Sequence, residues 1–381
     1  MWLLYIFALI PIVVGFILWL KNNKVNLVEW LIGSGIALLV AGLVHICAVA
    51  GMTGDTEVWS GRIVKAVHYP EWVEEYEVAI YRTETHTDSD GNTTSEEVFD
   101  HYETRYRTHE RYWEACTDLN YDKRISESFF HEISRNFNNV TTETPWKSGF
   151  YSGDKNIYVA YNKTGYVYPV TDTRRFTNKI QAAPTVFSFP KVPPGTKVYE
   201  YPYPPDWLQS TRLINENKIN IKEFDRLNTR LGFKKQVNIV MINFDKQDSS
   251  IAQYQEAKFI GGKKNDLILC YGNVGTNGCA GWAYVFGWTE KALCKRNLET
   301  ILLTNPINNS ILPVIEREVI VNYVIKDWTK FSYISIEPRA NTYVWYFIVM
   351  FLTQIGIWLY FFMNDVDKET TFSNIRYNMR F

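Results

Sequence analysis

Two apolar runs stand almost back to back at the start of the chain, residues 2–20 and 27–50, and a third, 340–363, lies close to its end. A helix crosses the hydrocarbon core of a bilayer in about 20 residues, so each run predicts a transmembrane helix. Only residues 21–26 separate the first two, which makes them a helical hairpin. The first run has no Lys or Arg before its apolar core and no small-residue cleavage pattern after it, so it reads as a retained span. Everything between the second and third runs is polar enough for water and is therefore tethered at both ends. Gly33, Ala37 and Ala41 recur every four residues on the second run, a stripe of small side chains that lets another helix come close. The first run is its expected partner. Glu29, His45 and Gln354 are polar positions within the spans, at depths too different for His45 and Gln354 to pair. They form neither a proton relay nor a conducting path.

In the polar part the periodicity changes twice. Over 76–113, alternating positions such as Tyr76, Val78 and Ile80, then Val98, Tyr102 and Tyr106, predict a long β-hairpin around the turn Asp88-Ser89-Asp90-Gly91-Asn92. That turn lacks the further acidic position and distal Glu of an EF-hand. His86, His101 and His109 lie on this hairpin. With the turn centred at Asp90-Gly91, His86 faces Ser95, and His101 and His109 are about 26 Å apart along the strand, so the three do not converge on a metal. Ile125, Phe129, Ile133 and Phe137 predict an amphipathic helix over 122–137, and 151–170 reads as Tyr-rich strand. Seven prolines from Pro184 to Pro205 exclude a central strand or a helix interior and predict an extended connector.

Beyond it the pattern becomes α/β. A helix capped by Asp206 is expected to run, broken, through Phe224, Leu227 and Leu231. Then come a strand over 237–244, a helix over 249–260 ended by Gly261-Gly262, a strand over 267–271, a glycine-rich turn over 272–278 and a strand over 280–288. Helices over 290–303 and 311–330 complete the order. The fold class is therefore an α+β membrane protein. It comprises a transmembrane hairpin (1–51), a β-rich region (52–183), a proline-rich connector (184–205), an α/β domain (206–336), a transmembrane helix (340–363) and a tail (364–381).

Composition adds limits. The formal net charge is −1 from 40 basic and 41 acidic residues, which offers no field for nucleic acid. Trp2, Trp19, Trp30, Trp345 and Trp358 suit interfacial belts. Lys21 and Lys24 place the short loop in the cytoplasm by the positive-inside rule. The N-terminus and the large region are then periplasmic and the C-terminal tail cytoplasmic. Four of the five cysteines lie outside the spans, too few for a disulfide scaffold.

The runs 236–244, Gly261-Gly262-Lys263-Lys264-Asn265-Asp266-Leu267-Ile268-Leu269 and Gly287-Trp288-Thr289 resemble TPM-type domains, membrane-tethered α/β modules of bacterial envelopes and plastids. The whole chain is similar to an uncharacterised family of phage-encoded membrane proteins. That family has a paired N-terminal span, an Asp-Thr-Glu-x-x-Ser/Asn-Gly phrase (here 55–61), the same α/β domain and a C-terminal span. Relatives often carry a Cys-rich stretch where this chain has its Tyr/Thr/Glu-rich hairpin, so metal or disulfide properties there do not transfer.

Because some TPM-type domains act as phosphatases or bind cations, the resemblance implies a site beyond the carboxyl ends of the strands. If the first two strands are parallel, Asp245, Asp248, Asn273 and Asn277 share that rim, a donor set suited to Ca²⁺ or Mg²⁺. The competing reading makes Asp245 and Asp248 loop residues and helix caps. Asp266 falls on the opposite rim and fixes a turn. The turn over 272–278 leads into a strand and not a helix, unlike a phosphate loop. No Ser-His-Asp set is evident, since the last histidine is His131. Cys270 and Cys279 flank the turn and are candidates for a disulfide in an oxidising compartment. The function expected is a membrane-anchored extracytoplasmic interaction or scaffolding protein at a host bacterial inner membrane. Its partners would be the bilayer and an unidentified protein or a second copy. A phosphatase or metal-binding hydrolase is the alternative, and a channel or transporter fits less well.

Overall fold

A computed structural model describes residues 8–10, 12–17, 27–87, 93–144, 150–153, 156–183, 186–337 and 340–364. The expected loop 21–26, the turn 88–92 and most of the tail lie outside these residues. The fold is α+β, with helices and three sheets.

α1 (Leu27–Thr53) passes directly into β1 (Gly54–Tyr69). β2 (Trp72–Thr87) and β3 (Thr93–His109) form the expected hairpin. β4 (Tyr112–Thr117), β5 (Asp122–Ile125), α2 (Glu127–Phe137), β6 (Thr141–Glu143), β7 (Phe150–Gly153), β8 (Ile157–Tyr161), β9 (Pro169–Thr177) and the single turn α3 (Lys179–Ala182) follow. The main sheet has the order β5-β4-β1-β8-β6. β1 organises it: residues 54–62 pair with β9, and its second half pairs with β4 and β8. The helix expected over 122–137 begins only at Glu127. Asp122–Ile125 instead pairs as a strand with β4, and the Ser126 side chain caps α2 by accepting from Phe129 N–H at 3.2 Å. Phe130, Ile133 and Phe137 then enter a core with Ile63, Ala66 and Ala115, each burial contributing about 1.5–3 kcal/mol.

The α/β part comprises β10 (Leu213–Ile214), α4 (Ile221–Lys235), β11 (Asn238–Asn243), α5 (Ser250–Phe259), β12 (Asp266–Gly272), β13 (Trp282–Gly287), α6 (Ala292–Thr304), α7 (Leu312–Asn322) and α8 (Ala340–Asn364). The sheet order is β10-β11-β12-β13. β10, β11 and β12 run parallel and β13 antiparallel. β11 and β12 are apolar at successive positions because both faces are covered. One face packs Ile239, Met241, Leu267 and Leu269 with α4, α6 and α7 residues such as Leu227, Leu298 and Ile315. The other packs Val240, Ile242, Ile268 and Phe286 with α5 and with Val198, Tyr199 and Tyr201 of the proline-rich segment. That segment is extended, as its prolines require, and forms a covering layer. Tyr199 N–H donates to Gln255 Oε1 at 2.8 Å and Gln255 Nε2 returns a bond to Tyr199 O at 3.0 Å.

Two helix boundaries differ from expectation. No helix starts at Asp206, whose carboxylate takes the Trp207 N–H at 2.6 Å. α4 begins after Asn220, whose Oδ1 accepts from Lys222 and Glu223 N–H. The helix expected over 311–330 stops at Asn322, where the chain extends so that Ile325 can bridge to Thr289.

Among the described residues, α1 is the one helix long and apolar enough to cross a membrane; Asn341–Ile357 within α8 is a shorter apolar stretch. Ala37 and Ala41 of α1 pack with Ala8 of the first apolar run and with Tyr346 and Met350 of α8. The small-residue stripe thus receives two neighbours, where the sequence suggested one. Trp30 Nε1 also donates to Ile12 O at 2.9 Å. α1 and the segment leading to α8 meet the globular part at one place. There Val49 and Met52 of α1, Ile180 of α3, and Phe331, Ile334 and Ile336 ahead of α8 form one cluster with Trp288 and Trp328. Lys179 Nζ ties it together by donating to Ser332 O at 2.7 Å and Ile334 O at 3.0 Å.

Candidate functional site

At the carboxyl rim, the three parallel strands each give way to a residue in the left-handed region: Asn215 (φ 55°), Asp245 (φ 51°) and Asn273 (φ 52°). Asn and Asp are the non-glycine residues that visit this region most readily. They are bonded to one another. Asn215 Nδ2 donates to Asp245 Oδ2 at 2.7 Å and to Asn243 O at 3.0 Å, and Asn273 N–H donates to Asp245 O at 2.5 Å. Asp245 and Asn273, with Lys197, Glu216, Lys218 and Lys246, line a cleft of about 990 Å³.

Of the four proposed ligands, the rim therefore brings two together. Asp248 Oδ1 accepts from Ser250 N–H at 3.0 Å, and this bond holds its carboxyl below the usual range. Asn277 Oδ1 accepts from Cys279 N–H at 3.0 Å. Both oxygens are occupied by their own loops. Among the described residues, no three His, Cys, Asp or Glu side chains converge as metal ligands. Nor are the two cysteines joined: both thiols are free. Cys270 points into the α5 face of the sheet, whereas the loop bearing Cys279 delivers Ala280 to the opposite core. The hairpin histidines are also apart. His109 stacks on Trp72 and meets Glu74 at 2.8 Å, and His101 meets Asp100 at 2.9 Å. His86 faces Thr94, one residue from expectation, and farther from the turn the register steps once more where β3 carries an extra residue at Asp100.

The opposite rim holds a denser polar arrangement. Lys263 Nζ contacts Asp55 Oδ1 at 2.5 Å, and Asn178 Nδ2 donates to Asp55 Oδ2 at 2.7 Å. The Lys263 backbone N–H donates to Asp266 Oδ2 at 2.7 Å, while Tyr201 OH and Asn238 Nδ2 each donate to Asp266 Oδ1 at 2.9 Å. Arg212 reaches Asp225 at 2.9 Å and Asn238 Oδ1 at 3.3 Å, and also donates to Ser60 Oγ. Asn265 Nδ2 donates to Val58 O at 2.8 Å and Thr229 Oγ1 to Gly61 O at 3.0 Å. Asp266 is fully buried, and burial raises its pKa to about 6 against the pull of its three donors. Burial works against the Lys263 ammonium too, but Asp55 outweighs it and the pKa is raised. Burial lowers that of Arg212, with Asp225 opposing.

This arrangement is a joint. It locks the 55–61 phrase of β1 onto α4 and the Gly261–Leu269 run, so the two phrases that carried the resemblance touch each other. A paired buried charge with its remaining valences satisfied is stable in place, whereas removing one partner strands the other. Lys263, Arg212, Asn238 and Tyr201 had no sequence signal as a group, because their partners lie up to 208 positions away. The alternation in β1 and the polar residues inside otherwise apolar strand ends were the available hints. No family model, curated protein or solved structure matches the chain.

Proposed function

We propose that this protein is a membrane-anchored interaction or scaffolding protein whose β-rich and α/β regions act as one extracytoplasmic body. The supporting observation is the shared seat of the two tethers: the ends of α1 and the segment before α8 meet in the cluster around Ile180, Phe331 and Trp288. A body held at both ends on packed apolar helices is positioned relative to a bilayer, which suits recruitment or occlusion of another envelope component. The charge bias of the 21–26 loop favours a periplasmic body. The resemblance to phage-encoded membrane proteins suits action at a host inner membrane. The carboxyl rim gives less support to a metal-dependent phosphatase, since Asp248 and Asn277 serve their own loops.

Solubilising the full chain in mild detergent and measuring mass by light scattering tests the reading. A defined complex with an envelope protein, or a defined oligomer, is expected. A lone monomer that hydrolyses p-nitrophenyl phosphate in a Ca²⁺- or Mg²⁺-dependent manner, with turnover lost in Asp245→Asn, would overturn it.

A further inference from the structure

The β2–β3 hairpin is an arm. Its paired strands extend over about 50 Å at 3.3 Å per residue, and β7 covers one edge only at Trp72 to Glu75. Among the described residues the rest of β2's outer edge is open, as is the full length of β3's. A two-stranded ribbon of this length is marginal in water by itself. Its two faces differ in a way that identifies what would cover it.

Residues directly opposite in the pairing share a face. One face carries the pairs Tyr76–Arg105, Glu74–Arg107 and Arg82–Val98. All three of the arm's guanidiniums lie there and are satisfied within the arm. Arg82 meets Glu84 at 2.6 Å, Arg105 meets Glu103 at 2.8 Å, and Arg107 sits 5.2 Å above the Tyr76 ring. The other face carries Glu75–Tyr106, Glu77–Thr104, Ala79–Tyr102, Tyr81–Phe99 and Thr83–Glu97. Here Tyr81, Phe99, Tyr102 and Tyr106 are 47–68 % exposed, and Phe99 touches both Tyr81 and Tyr102. Glu75, Glu77 and Glu97 on this face have neither an ion pair nor a hydrogen bond among the described residues. Aromatic rings interleaved with carboxylates that are unpaired among the described residues, with no Lys or Arg of either strand on this face, are the complement of Arg and Lys side chains. The two open edges supply main-chain donors and acceptors for an added strand.

We infer that this face of the arm docks an extended, arginine- or lysine-bearing segment of a partner protein. The inference deepens the scaffolding reading and rests on it. Nucleic acid, anionic lipid and the same face of a second copy all bring negative charge to unpaired negative charge and are disfavoured.

The test uses the full chain in neutral detergent with a fluorescent eight-residue peptide alternating Arg and Val, and an alternating Glu–Val peptide as control. Anisotropy reads binding and hydrogen exchange reads its location. Binding of the Arg peptide is expected, with slowed exchange over 93–109. Its affinity should fall at least tenfold both in E75Q/E77Q/E97Q and in Y102S/Y106S. These positions are exposed, and unchanged exchange in β11 and β12 shows that each variant is folded. Equal binding of the Glu peptide, or an Arg-peptide affinity unchanged in both variants, would overturn the inference. So would arm-dependent dimerisation or arm-dependent binding to vesicles of three parts phosphatidylcholine to one part phosphatidylglycerol. If the arm fails these tests while the chain still forms a defined complex, the docking inference alone falls. If no complex forms, the scaffolding reading falls with it.

Discussion

Lys263 Nζ lies 2.5 Å from Asp55 Oδ1 although the residues are 208 positions apart. Lys263 belongs to the loop before β12, and Asp55 to the start of β1, directly beyond α1. The contact therefore couples the α/β sheet to the strand that follows directly on α1. Both side chains are nearly removed from solvent, so the pair cannot be treated as a surface ion pair.

Replacing Asp55 with Asn leaves the Lys263 ammonium buried beside a neutral partner. Loss of one member of such a pair costs about 3–5 kcal/mol. The double variant Asp55→Asn/Lys263→Met is expected to recover much of that loss, because no uncompensated charge remains. Urea unfolding of the full chain in detergent, followed by tryptophan fluorescence, measures both. Equal destabilisation in the single and double variants would contradict the coupling.

Asp266 makes stability depend on pH. Its folded pKa of about 6 lies above that of an unfolded aspartate. The folded state thus binds the extra proton between roughly pH 4 and 6. The stabilisation this confers is complete below pH 4 and is lost as pH rises through about 6, a change of about 2–3 kcal/mol. Asp266→Asn loses the bond from the Lys263 N–H at every pH but removes this slope. Comparing unfolding midpoints of the two proteins at pH 4, 5, 6 and 7 isolates the effect; parallel curves would refute it.

At Gly232 the backbone of α4 comes close to that of β1. A Cβ built there falls 2.5 Å from Ser60 O, and backbone on both sides cannot yield as a flexible side chain would. Gly232→Ala is expected to destabilise by about 1–3 kcal/mol, despite the better helix propensity of alanine. An unchanged midpoint would show that the two regions are less tightly apposed.

Calcium or magnesium is expected to leave the unfolding midpoint unchanged, because Asp248 and Asn277 turn their oxygens onto their own backbone. A saturable rise that disappears in Asp245→Asn would restore the rim as a cation site. Differential scanning fluorimetry with and without each ion distinguishes the outcomes.

Local patterns were the readable part of this fold. The apolar continuity of β11 and β12, the end of α5 ahead of Gly261-Gly262 and the hairpin centred beyond Thr87 all follow from neighbouring residues. The missed boundaries have local causes too. Ser126 outcompeted a helix start at 122, and Asn220 capped α4 where Asp206 was expected to. The rim was half legible: parallel pairing of β11 and β12 places Asp245 beside Asn273, but which way Asp248 and Asn277 point depends on hydrogen bonds within their loops. The joint was illegible because each of its residues reads as an ordinary polar position until tertiary structure supplies the partner. Asp266 is the sharpest case, since the turn role assigned to it is correct through Lys263 N–H and yet omits Tyr201 and Asn238.

The proposal of an anchored, outward-facing body is tested most directly by labelling from outside. In a Cys47→Ala/Cys279→Ser background, Ser95→Cys places an exposed thiol on the arm, while Cys116, Cys270 and Cys294 are buried. Intact bacterial spheroplasts producing this chain are treated with a membrane-impermeant maleimide and then extracted with alkaline carbonate. The account predicts label on the protein before lysis and its recovery in the membrane pellet. Label that appears only after lysis, or protein released into the carbonate supernatant, would contradict it.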